Sequence, residues 1–214
     1  GLLCLVVAPA LVAAEPEIPA DLRVVIAGAR DKVYPALVNI AVVWGTEQGG
    51  REVRFRATGS GTILDDKGTV LTNHHVAGKA TRIICTLANK EEVPAELVGT
   101  DALTDLAVLR LKLDERKDPK APLPVAVLGD SDTLYVGDYV MSMGSPHGMA
   151  RSVTLGIVSN KERPAEGLGD LEGEPTGTLT RWIQHDALIL PGNSGGPLVN
   201  LKGEVIGINE LGGN

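Results

Sequence analysis

The sequence predicts an all-β chain of two antiparallel β-domains, and three observations carry that expectation. Short runs rich in Val, Ile, Leu and Thr recur between turn residues at 37–44, 53–58, 61–64, 70–72, 81–87, 93–98 and 106–111. A second set follows at 125–128, 139–143, 152–158, 178–184, 197–200 and 205–208. Such spacing signals a sandwich or a barrel. Between the sets, residues 112–124 are charged and hold Pro119, Pro122 and Pro124, which cannot sit in a central strand. Finally, a helical pattern is confined to residues 18–33, closed by Pro35.

From these elements the chain divides into 15–35 with the short helix, a β-domain at 36–111, a linker at 112–124 and a second β-domain at 125–214. A length of 214 residues with 43% apolar content suffices for a sizeable core. Residues 161–177, rich in Gly, Glu and Pro, read as an exposed loop in the second domain.

Ahead of these lies an apolar run from Leu2 to Ala14, ending in small residues before Glu15. It reads as the remnant of a secretory signal peptide at 1–14, predicting an exported protein, periplasmic or secreted. A membrane anchor facing the periplasm is the alternative, although the visible run is short against a bilayer core of about 30 Å. Cleavage would remove Cys4 and leave Cys85 alone, flanked by Ile83 and Ile84, as a small core residue rather than a reactive thiol. Leu3 before Cys4 argues against lipidation.

The net charge of −7 argues against nucleic acid, because no Lys/Arg cluster stands out to neutralise phosphates. Residues 51–56 hold three arginines, but these alternate with Glu52 and apolar residues and read as a solvated strand face.

Chemistry concentrates in Pro191-Gly192-Asn193-Ser194-Gly195-Gly196-Pro197. Its glycines allow a tight turn with amide N–H groups pointing into a common space beside the Ser194 hydroxyl, as an oxyanion hole requires. A glycine-rich hairpin between two strands would look the same. The G-x-S-x-G pattern of an esterase also fits, but there the acid and the histidine follow the serine. Here no histidine follows Ser194, and the strand-to-helix alternation of that fold is missing.

The histidine must then come earlier, from His74, His75, His147 or His185. Thr72-Asn73-His74-His75-Val76 closes a strand and places a histidine at its exposed end. The adjacent pair does not make a metal site, since neighbouring strand positions point to opposite faces and no ligand partner sits at suitable spacing. No cofactor is expected. In Thr104-Asp105-Leu106-Ala107-Val108-Leu109, Asp105 stands at the mouth of an apolar strand, where a carboxylate needs a partner. Asp101 lies among turn residues and reads as solvated.

Taken in order, Gly59-Ser60-Gly61-Thr62-Ile63-Leu64, Leu71–Val76, Asp101–Leu109, Val136-Gly137-Asp138, Gly192–Asn200 and Gly207-Ile208-Asn209 resemble the HtrA (DegP-like) serine proteases. The resemblance implies two chymotrypsin-like six-stranded β-barrels and a serine endopeptidase. It assigns His75, Asp105 and Ser194 as the catalytic triad, with the His before Val selecting His75 over His74. Backbone N–H groups of Gly192, Ser194 and Asn193 would form the oxyanion hole. The position six residues before the nucleophile, Leu188, together with Ile189, would line a specificity pocket for small aliphatic side chains. Asp186, which could suggest basic specificity, has the wrong offset. Unfolded or misfolded protein substrates, trimer-based homo-oligomers and a following PDZ domain are also implied, while membrane association rests on the anchor reading of the apolar run.

His74 stands where that family commonly has Asn, and Ser145-Pro146-His147-Gly148 replaces Asn-Pro-Phe-Gly. The sequence stops at Asn214, just after the 205–208 strand, so a fragment with an incomplete second barrel is expected. A non-catalytic, chaperone-like binder on the same scaffold is the competing class.

Overall fold

Pairing of strands, rather than packing of helices, sets the architecture of residues 21–145, 151–164 and 180–210, which a computed structural model describes. The apolar leader with Cys4, His147 and residues 165–177 of the expected loop lie outside them.

The first half is a closed barrel of β1 (Leu37–Gln48), β2 (Arg51–Ile63), β3 (Thr69–Asn73), β4 (Arg82–Thr86), β5 (Glu92–Asp101) and β6 (Leu106–Leu111). Their order around it is β1-β2-β3-β6-β5-β4, all antiparallel, with β1 pairing β4 to close the ring. Period-two alternation fills it: Val38, Ile40 and Val42 of β1 point inward, as do Ala107, Leu109 and Leu111 of β6. Each Leu or Ile so buried contributes about 1.5–3 kcal/mol. Cys85 is fully buried there, and burial pushes its thiol up to about 12, so it is core.

The second half is a six-stranded sheet of β7 (Val127–Leu128), β8 (Tyr139–Gly144), β9 (Ser152–Pro164), β10 (Arg181–His185), β11 (Pro197–Asn200) and β12 (Glu204–Ile208). Its order is β10-β9-β8-β11-β12-β7. The expected all-antiparallel pattern needs correction at β7, which runs parallel to β12. Helix α1 (Leu22–Val33), N-capped by Asp21, lays Ala29 and Val33 on Met141, Met143 and Val199. The helix precedes the first barrel in sequence yet packs on the second half.

Other boundaries also move. The runs at 53–58 and 61–64 are one strand, β2, continuous through Gly59, Ser60 and Gly61. A Cβ at Gly59 would collide with Val76, so glycine lets the strand pass close beneath its neighbour. A one-turn helix, α2 (His74–Ala77), appears where strands alone were expected. The loop expected from residue 161 begins instead as strand, with Pro164 of β9 opposite Arg181 of β10.

The linker is strapped to the first barrel. Arg116 is buried against Glu91 at 3.5 Å, and the Lys117 N–H donates to Glu91 at 2.6 Å, holding that carboxyl below its usual range. Arg51, Arg54 and Arg56 are exposed on the β1–β2 hairpin, as expected of a solvated face.

Candidate active site

Register brings the first two predicted residues together. In the β3–β6 ladder Asn73 lies opposite Leu106, so the residues following β3 meet the residue preceding β6. Asp105 sits in that turn with φ +51°, a left-handed conformation that Asp tolerates better than most residues. The local folding holds it there: its carbonyl accepts from the His74 N–H and from Asn73 Nδ2, both at 3.0 Å.

Asp105 is 1% exposed, and both of its carboxylate oxygens are used. Oδ1 accepts from the His75 N–H at 2.8 Å, and Oδ2 lies 2.6 Å from His75 Nδ1. That pair fixes the tautomer with the proton on Nδ1 and leaves Nε2 as an acceptor. His74 turns the other way, its Nδ1 meeting the Thr100 hydroxyl at 2.5 Å. The helical turn of α2, not a strand, separates the two rings. His185 lies on β10, half-buried, with its imidazole pushed below the usual range by burial. Asp101 caps its own turn, accepting from the Leu103 N–H and the Thr104 hydroxyl.

Ser194 lies in the turn leading to β11. Gly192 (φ +97°) and Gly195 (φ +81°) take backbone conformations that side chains resist, and a Cβ on Gly195 would run into Ser60 and Thr72. Among the described residues the N–H groups of Gly192 and Ser194 have no acceptor, as an anion-receiving pair requires. Asn193 does not join them. Its N–H donates to the Leu190 carbonyl at 2.9 Å, and its fully buried side chain accepts from the Ser152 hydroxyl at 3.1 Å. That removes Asn193 from the expected oxyanion donors.

Sequence reasoning missed the clamp across the two halves. Ser60, fully buried on β2, donates its N–H to the Ser194 carbonyl at 2.8 Å and its hydroxyl to the Gly192 carbonyl at 2.6 Å. Its hydroxyl oxygen also accepts from the Ser145 N–H at 2.8 Å, and Asn39 Nδ2 reaches the Ser145 carbonyl at 2.9 Å. The Gly59-Ser60-Gly61 segment was the available signal. The Ser194 hydroxyl itself has the Glu210 carbonyl as acceptor at 3.4 Å.

A family model described as "Trypsin-like peptidase domain" matches residues 59–208, which span Ser60, His75, Asp105 and Ser194. The chain belongs to the trypsin-like peptidase family. The relatives it resembles are HtrA- and DegP-like. A DegP-like periplasmic serine endoprotease of Pseudomonas putida is 46% identical over 162 residues, 76% of this chain and 31% of that protein. The corresponding protein of Hahella chejuensis is 44% identical over 154 residues, 72% of this chain and 29% of that protein. The chain thus spans about a third of the length of the curated relatives it matches. Among solved structures, the HtrA-type protease AlgW with a decapeptide superposes at TM-score 0.71 and 34% identity, covering 87% of this chain and 58% of that one. AlgW with a tripeptide gives 0.70 and 38%, covering 86% and 53%.

Leu188 is exposed, Ile189 half-buried and Leu190 exposed, forming an apolar edge before the Ser194 turn. Asp186 is tied down, its Oδ1 accepting from the Ile157 N–H at 2.6 Å. On the opposite side, Trp44, His75, Val76, Lys79 and Ala80 line a small cavity of about 30 Å³. Among the described residues no group of three or more His, Cys, Asp or Glu side chains could hold a metal ion, and no helix is long and apolar enough to cross a membrane.

Proposed function

We propose that this chain carries the catalytic portion of an exported serine endopeptidase acting through His75, Asp105 and Ser194. The observation that supports it best is the 2.6 Å contact between His75 Nδ1 and a buried Asp105 whose other oxygen is also occupied. A carboxylate so enclosed orients the imidazole and stabilises the imidazolium without taking its proton.

In this reading Ser194 Oγ attacks the carbonyl carbon of a bound peptide while His75 Nε2 takes the hydroxyl proton. The carbonyl electron pair moves to oxygen, and the N–H groups of Gly192 and Ser194 receive that charge. Removal of such a donor costs about 2.7–4 kcal/mol of barrier. His75 then delivers the proton to the leaving amine as the C–N bond breaks. Water, deprotonated by His75, attacks the acyl ester and returns the proton to Ser194.

The substrate class is peptide or unfolded polypeptide, supported by the peptides bound to AlgW. A periplasmic location is supported by the names of the relatives. Leu188 and Ile189 favour a small aliphatic side chain at the cleaved position, since Asp186, close to them in sequence, is committed to the β9 backbone. Trimer-based assembly rests on the family resemblance, and membrane association on the anchor reading of the apolar run at residues 2–14.

A fluorophosphonate probe tests the assignment, because it forms an adduct only with an activated serine beside an open oxyanion hole. Adduct on Ser194, lost in Ser194→Ala together with casein cleavage, is the expected result. No adduct, with binding of unfolded protein retained, would return the chain to the non-catalytic binder.

A further inference from the structure

Behind the Ser194 turn lies an acid that the proposed triad does not use. Glu210 follows β12 and is only 7% exposed, and its Oε1 is buried with no hydrogen-bond partner among the described residues. Its backbone position is over-determined. Asn209, 1% exposed, exchanges bonds with the Ser194 turn, accepting from the Gly195 N–H at 2.9 Å and donating its N–H to the Gly196 carbonyl at 2.8 Å. Asn209 Nδ2 adds bonds to the carbonyls of Met143 at 3.0 Å and Pro197 at 3.1 Å. Residue 210 is therefore carried rigidly to the nucleophile, where its carbonyl accepts from Ser194 Oγ at 3.4 Å.

We propose that Glu210 is a positioning residue of the catalytic centre, its carbonyl docking the Ser194 hydroxyl and its enclosed carboxyl lying in the field of the Asp105 carboxylate that orients His75. This rests on the triad reading above. The facing groups make the consequence specific. Asp105 is the charge that acts on Glu210, and Asp105 is itself paired with His75. The 192–196 turn, Asn209 and the Met143–Ser145 stretch bring no charged side chain.

Burial first, and the Asp105 charge second, push the Glu210 carboxyl up to about 8. At neutral pH the side chain is then an uncharged acid, and Asp105 is the single negative charge behind His75. Above that value a second carboxylate appears in the same enclosure. It repels Asp105 and strains the 209–210 segment that seats Ser194, and both slow the attack.

The test is the rate of fluorophosphonate labelling from pH 6 to 10 for the wild-type chain, Glu210→Gln and Glu210→Ala. Gln keeps an uncharged side chain of the same shape at every pH, so about tenfold faster labelling than wild type one unit above the Glu210 transition, relative to each protein's own rate at pH 7, is expected. Superimposable alkaline limbs in wild type and Glu210→Gln would overturn the role of Glu210 while leaving Ser194 as nucleophile. A wild-type chain that takes no label anywhere would instead count against the triad reading. In that event, or where a variant does not fold, carbon-13 carboxyl and His75 imidazole NMR titrations of the wild type decide. A Glu210 transition near pH 8 that also displaces the His75 signals supports the coupling, and a Glu210 transition in the ordinary carboxyl range overturns it.

Discussion

The two halves of the molecule hold their parts of the site by different means. In the first barrel, His75 and Asp105 sit at the facing ends of paired strands inside a closed ring, and Asp105 alone engages four donors. In the second, Ser194 rides on a turn between β10 and β11 whose carbonyls are held from outside, by Ser60 of the first barrel. Among the described residues, its hydroxyl has a long 3.4 Å bond to the Glu210 carbonyl. The His75–Asp105 contact is set within its own sheet, whereas the Ser194 turn is held both by Ser60 from across the interface and by Asn209 within its own half. Preset geometry makes chemistry immediate, and borrowed geometry makes it adjustable.

Substitutions on the two sides should therefore fail differently. The largest effect belongs to Asp105→Asn, which keeps the shape but lets the imidazole take the wrong tautomer, and kcat should fall by about 10⁴. Activity within tenfold of wild type would show that His75 is oriented by something else. Next comes Ser60→Ala, which removes the hydroxyl bridging the Gly192 carbonyl and the Ser145 N–H. Leaving both without this partner should cost about 1–3 kcal/mol of stability. Peptide turnover should drop more than that, with the His75–Asp105 proton resonance unchanged. A shifted resonance would mean the halves are not separable.

Stability against pH gives a signed test. The folded-state value of Glu210, about 8, lies above its ordinary value of 4.5. The protonated group's contribution is complete below pH 4.5 and is lost as pH rises to 8, at up to about 1.4 kcal/mol per unit. Chemical denaturation should show Glu210→Gln gaining on wild type across that window and running parallel above it; parallel curves throughout would remove the buried acid. Smallest is His74→Asn, which gives up the bond to Thr100 but touches neither Asp105 oxygen, so kcat should stay within about threefold. A loss like that of His75→Ala would put the wrong imidazole beside Asp105.

Much of this was legible in the sequence. Alternating apolar residues marked the strands of the first barrel, because a closed ring buries one face of every strand and leaves the period intact. The residue patterns around His75, Asp105 and Ser194 marked the chemistry. Less visible was anything depending on a close approach. Gly59 and Ser60 read as a break between two strands, yet β2 runs through them, with glycine at 59 where a Cβ would collide with Val76. The His-His pair read as strand, although the α2 turn is what separates the two imidazoles.

The sequence by itself determined the all-β class and the division into two strand sets, since these follow from periodicity, while the resemblance of its motifs to a known family singled out His75, Asp105 and Ser194. Only the tertiary structure decided that the Asn193 N–H is spent on Leu190, that Ser60 clamps the Ser194 turn, that β7 runs parallel, and that a buried Glu210 brings its carbonyl to the Ser194 hydroxyl. Each joins residues far apart in the chain, or spends a backbone donor on a distant or turn-specific acceptor. A linear pattern carries no record of which groups will share a buried space.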